Sequence, residues 1–95
     1  MGNPAAYGAS KAGLTQLTRW LATTLAPDVR VNAICPGGIL RGQDNDFQSR
    51  YVERTPMRRM ASEVDLKGAV AMLASDLSSY LTGVTINVDG GIKAW

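Results

Sequence analysis

Only two stretches of this chain read as β-strand, and a helix stands between them. Val29 to Cys35 is nearly all apolar, as in a strand covered on both faces. Pro36-Gly37-Gly38 breaks it sharply. Val84-Thr85-Ile86-Asn87-Val88 alternates as a strand and is bounded by Asp89-Gly90-Gly91. Between them, Ser62-Glu63-Val64-Asp65 has the form of a capping box. Val64, Val70, Leu73 and Leu77 then make a helical stripe, which predicts a helix over about 63–76. A strand, a helix and a strand in that order imply a parallel pair with a right-handed crossover. Two such strands cannot make an independent sheet, which needs three or more strands or firm helix cover. The expected fold is therefore α/β but partial. Its free strand edge is a template for another chain, so completion by self-association is expected.

A longer helix comes first. Asn3 suits an N-cap, and Pro4 falls at the first helical position, where its missing N–H costs nothing. Leu14, Leu17, Leu21 and Leu25 form an apolar stripe, and Pro27 ends it, giving a helix over about 4–25. Ala9, Ala12, Gly13 and Ala22 are small enough for another helix to approach closely. Tyr7 and Lys11 stand at i and i+4, so their side chains share one face a turn apart. A free tyrosine hydroxyl holds its proton too tightly for base work at neutral pH, and a neighbouring ammonium favours the phenolate. The pair is a candidate general acid/base with its own tuning charge. An ordinary helix surface is the other reading.

The segment 39–61 is polar and irregular. Phe47, Tyr51 and Val52 anchor at most one short helix near 45–53, and Pro56 ends it. A loop this long in a small domain is a functional lid or else disordered. It holds Arg41, Arg50, Arg54, Arg58 and Arg59 against Asp44, Asp46 and Glu53, which is the whole +2 net charge of the 95 residues. An excess that small argues against a dedicated nucleic-acid binder. It leaves anionic partners of the arginine-rich loop as a minor reading. There is no histidine and one cysteine, so no transition-metal site is expected. Cys35 has no disulfide partner, which suits a reducing cytoplasm. No apolar run approaches a membrane span. Neither a signal sequence nor a myristoylation motif opens the chain, since Ala6 stands where that motif wants Ser or Thr.

Four stretches, taken together, carry a resemblance. They are Tyr7-Gly8-Ala9-Ser10-Lys11-Ala12-Gly13, Arg30-Val31-Asn32-Ala33 leading to Pro36-Gly37, Ser75-Asp76 with Tyr80 and Thr82-Gly83, and Val88-Asp89-Gly90-Gly91. At this spacing the chain, as a single partial domain over 1–95, resembles the C-terminal part of the short-chain dehydrogenase/reductases. These are NAD(P)-dependent oxidoreductases with a Rossmann-type sheet. The resemblance implies that Tyr7 exchanges a proton with a carbonyl or alcohol substrate's oxygen. It implies that Lys11 tunes Tyr7 and holds the nicotinamide ribose. Pro36, Gly37 and the backbone of Ile39 would line the nicotinamide, and 39–61 would be the substrate loop and lid. Asp89-Gly90-Gly91 reads as a structural turn.

Two departures qualify this. Arg41 stands where the family often has a threonine after Pro-Gly, so it is either a phosphate ligand or a surface charge. The family's glycine-rich phosphate-binding turn, its ribose-reading acid, its Asn-Ala-Gly segment and its catalytic serine are absent from these 95 residues. The chain alone is therefore expected to bind NAD or NADP weakly and to lack turnover. The alternative is a catalytically silent remnant that acts as a homo-oligomeric interaction module. The most direct assembly is a two-fold dimer, with a swap through 39–61 as one geometry. No nucleic acid or membrane partner is expected.

Overall fold

The computed structural model describes residues 4–95. Helix α1 covers Pro4–Leu25, strand β1 Ala33–Pro36, helix α2 Asn45–Arg54, helix α3 Glu63–Ala74 and strand β2 Thr85–Val88. Single 3₁₀ turns follow at Asp76–Ser78 and Ile92–Ala94. The Asn3 cap lies outside the described residues. The fold is α/β, with the expected order of helix, strand, loop, helix and strand.

The strands are parallel, in register from Ala33 opposite Thr85 to Pro36 opposite Val88. The ladder corrects the sequence reading at both ends of β1. It begins four residues late, because side chains replace strand partners there. The Val31 N–H donates to Thr82 Oγ1 at 3.0 Å, and Asn32 holds Leu81 O and Val84 N–H with its amide. It also takes in Pro36. Ala33 donates its N–H to Val84 O, just ahead of β2, and Gly37 donates to Val88 O at its end. By alternation the Pro36 nitrogen faces the other edge, where no partner strand is described and a missing N–H costs nothing.

Arg30 binds the crossover to the sheet. Nη1 donates to Ser78 O at 2.8 Å, Ser78 Oγ at 3.1 Å and Leu81 O at 3.2 Å. Nη2 donates to Leu73 O at 3.1 Å and Ser75 O at 3.3 Å. These carbonyls belong to the end of α3 and the turn beyond it, where helical acceptors run out of partners. The predicted helix over 63–76 therefore stops at Ala74. Ser75 turns the chain, donating to Met72 O and accepting from Leu77 N–H, and the next residues form a 3₁₀ turn.

The core is thin. Ala22 and Met60 are its buried apolar residues, with Thr18, Thr55 and Ser78 buried beside them. Asn32 and Ile34 face Val70, Leu73 and Ala74 of α3 across an open groove. Helix α1 docks only through its second half, where Ala22 lies against Gly83. Both apolar stripes exist at helical spacing, yet much of each is uncovered: Leu14, Leu17 and Val70 are about half exposed, and Leu77 is 91% exposed. The radius of gyration is 15.4 Å, against about 12 Å for a compact domain of this length.

Replacing Arg30 strands four carbonyls at once. Arg30→Ala is expected to lower stability by about 2–4 kcal/mol, and Arg30→Lys to recover only part, because an ammonium lacks the guanidinium fork. Urea midpoints followed by circular dichroism check both.

Candidate functional site

Tyr7 and Lys11 meet as their spacing predicts. Lys11 Nζ sits 5.5 Å from the centroid of the Tyr7 ring, a cation over an aromatic face. Residues 5–14 are all exposed, and Tyr7 itself is 64% exposed. The first half of α1 thus presents the pair on an open surface.

The carboxyl ends of β1 and β2 open into a second feature, a cleft of about 550 Å³. Gly37, Tyr51, Met57, Arg59, Asn87 and Asp89 are among its walls. Helix α2 forms one side. Asp44 Oδ1 accepts from Phe47 N–H at 2.8 Å and starts the helix. Phe47 stacks on Tyr51 with centroids 6.2 Å apart. The Tyr51 hydroxyl accepts the Gly38 N–H, which fastens the helix to the turn after β1. The base of the segment is closed by a bridge, with Leu40 N–H on Ala61 O at 2.8 Å and Ala61 N–H on Gly38 O at 2.9 Å.

The expected site residues divide accordingly. Gly37 lines the cleft. Pro36 is the exposed last residue of β1. Ile39 is tied into the bridge with Ala61, and its carbonyl accepts from Gln43 Nε2 at 2.8 Å. Arg41 pairs with Glu63 at 3.0 Å on the surface, the surface-charge alternative.

Sequence reasoning missed three participants. Tyr51 was legible only as an apolar anchor, since its hydroxyl partner lies 13 positions back. Arg59 forms a two-pronged pair with Asp65, at 2.6 and 2.8 Å. Lys93 Nζ donates to Cys35 Sγ at 2.7 Å. That bond, followed by the charges of Cys35, Asp89 and Tyr7, holds the Lys93 ammonium above its ordinary pKa despite slight desolvation. Beside the cleft, Asp89 Oδ2 is buried without a hydrogen-bond partner. No residue pattern announces a contact across 58 positions.

A family model described as enoyl-(acyl carrier protein) reductase matches residues 1–93. The chain is 41% identical to a 3-oxoacyl-acyl-carrier-protein reductase of Staphylococcus epidermidis, over 97% of this chain and 41% of that protein. Among solved structures, a short-chain dehydrogenase of Leptospira borgpetersenii with bound NAD+ superposes with a TM-score of 0.86. It is 45% identical and covers 90% of this chain and 34% of its own. A gluconate 5-dehydrogenase of Burkholderia cenocepacia in complex with NADP and tartrate gives a TM-score of 0.88 at 29% identity, covering all of this chain and 41% of its own. The chain spans 36 to 41% of the length of the curated relatives it matches.

The described residues offer the phosphates of a dinucleotide no open cradle. A Cβ on Gly37 would meet Asp89 at 2.8 Å, and one on Gly38 would meet Tyr51 at 2.7 Å. The close approaches at this turn are thus filled by protein. The N-termini of α2 and α3 hold Asp44 and Asp65, carboxylates where a pyrophosphate would have to sit.

The cleft rim carries a pH signature. The two bonds from Arg59, then the Ser62 N–H, hold the Asp65 carboxyl well below the usual carboxylate range, and Arg59 is raised in turn. A depressed carboxylate stabilises the fold above its unfolded pKa of about 4 and loses that contribution as pH falls through the folded value. Arg59→Gln is expected to return the Asp65 titration toward the ordinary range, as read by carboxyl-carbon NMR from pH 2 to 7.

Proposed function

The chain belongs to the short-chain dehydrogenase/reductase family of oxidoreductases, and from that premise we propose that it carries the proton-transfer part of an NAD(P)-dependent carbonyl or alcohol oxidoreductase. The observation that supports this reading is the Tyr7–Lys11 pair, with the ammonium 5.5 Å from the ring centroid on an open helix face. Tyr7 gives its phenolic proton to a carbonyl oxygen in reduction and takes one from a hydroxyl in oxidation. Lys11 stabilises the negative charge that develops on the phenolic oxygen. It is also the group to hold the nicotinamide ribose, with Pro36 and Gly37 beside the ring. NAD or NADP, when bound, supplies or accepts the hydride. The relatives crystallised with NAD+ and with NADP support that pairing. The segment 39–61 serves as lid over the cleft, and a cytoplasmic setting suits the lone thiol of Cys35.

Proton transfer helps only when the hydride donor is held in place, and nothing among the described residues cradles a pyrophosphate. The 95-residue chain alone is expected to show no oxidation of NADH or NADPH with carbonyl substrates, by absorbance at 340 nm (the ordinary ~340 nm band of reduced nicotinamides). In a chain of full family length, Tyr7→Phe is expected to lower kcat about 10²- to 10⁴-fold while dinucleotide affinity stays unchanged. Turnover by the short chain that survives Tyr7→Phe would overturn the reading.

A second reading rests on the uncovered surfaces. The β1 edge, the α3 stripe and the first half of α1 all call for cover, which a second copy of this chain can supply as a two-fold dimer. In this reading the chain is a silent, self-associating module. Light scattering at micromolar concentration is expected to give a dimer or higher species. A monodisperse, folded species of one chain mass would refute self-association.

A further inference from the structure

The turn after β2 does more than reverse the chain. Gly90 and Gly91 both have positive φ, 63° and 93°, a region that glycine enters without penalty. Each is also pressed against the segment that follows α2. A Cβ on Gly90 would meet Thr55 Cγ2 at 2.8 Å, and one on Gly91 would meet Pro56 Cγ at 3.0 Å. The Met57 N–H donates to Gly90 O at 3.1 Å. Thr55 is 1% exposed, and its hydroxyl donates back to Tyr51 O at 2.7 Å. The C-terminal end of α2 is thereby seated in a socket made by residues 89–91.

A few residues on, the chain returns to the same helix. The indole Nε1–H of Trp95 donates to Arg54 O at 2.8 Å. That carbonyl belongs to the last residue of α2, which has no intrahelical partner of its own. The indole is 85% exposed, so the hydrogen bond, and not burial, makes the contact. The other side of α2 faces the cleft through Tyr51.

We propose that residues 89–95 form a latch for α2: Gly90 and Gly91 are the socket that seats its C-terminal end, and the Trp95 indole fastens that end beside the cleft. The proposal rests on reading 39–61 as a lid. It assigns Trp95 as a positioning residue that sets how often the cleft opens. Release of that hydrogen bond loosens the last turn of α2, while the Tyr51–Gly38 bond and the Ile39–Ala61 bridge keep the rest of the segment in place.

Hydrogen–deuterium exchange on the 95-residue chain tests this independently of turnover. Trp95→Phe keeps an aromatic ring at an 85%-exposed position and removes the donor. The α2 amides at 49–54 are expected to exchange about tenfold faster in it, with α3 amides unchanged. Gly91→Ala drives a methyl group into Pro56 and is expected to give the same pattern with an intact indole. Unchanged α2 exchange in Trp95→Phe would overturn the latch. So would equal acceleration in α2 and α3, because that marks general loosening. Loss of activity in Tyr7→Phe leaves either result standing, so the two proposals fail separately.

Discussion

The Arg30 guanidinium is the contact on which the rest of the architecture depends. A parallel strand pair needs its crossover helix brought back onto the sheet, and the helix must end somewhere. Here α3 ends against a fork of charged donors from the residue that leads into β1. Five hydrogen bonds gather Leu73, Ser75, Ser78 and Leu81. Asn32 completes the seam through Leu81 and Val84. Charge-assisted bonds suit this task, because the carbonyls at a helix C-terminus carry the negative end of its dipole. With that seam closed, β2 emerges in register with β1, and the ends of the two strands open into one cleft.

What this seam does not provide is cover. Two short strands bury too little apolar surface to offset the chain entropy of ninety-odd residues. The uncovered faces of α1 and α3 are the visible consequence. Much of the stabilisation is therefore polar and local: a capped α2, a closed loop base, a stapled turn. The chain spans 36 to 41% of the length of its curated relatives, and much of its apolar helix surface is uncovered.

The chemistry is divided in the same way. Tyr7 and Lys11 need only a helix to find each other, and they stand on the least enclosed part of the molecule. The cleft needs four separate segments, and its walls come from both strand ends, the end of α2 and the start of α3. Lys93 ties the C-terminal turn back to the sheet. It bonds Cys35 on the sheet and responds to the charges of Tyr7 and Asp89.

The sequence by itself determined whatever has a short period or a local stop. Leucine spacing and proline placed α1, a capping box and a valine–leucine stripe placed α3 to within two residues, and the i, i+4 rule paired Tyr7 with Lys11. Strand–helix–strand order settled the parallel pairing. The Arg30, Asn32 and Asp89-Gly90-Gly91 motifs were legible as family marks but not as contacts. Only the tertiary structure decided their partners, since these lie about 50 positions away for Arg30 and about 35 for Gly90. It also decided that Ile39 belongs to a bridge, that β1 starts at Ala33, and that the end of α2 is seated on glycines. The reason is physical. Helical spacing is fixed by backbone geometry over one or two turns, whereas a long-range hydrogen bond depends on where the whole chain brings a donor and an acceptor, and no local pattern records that.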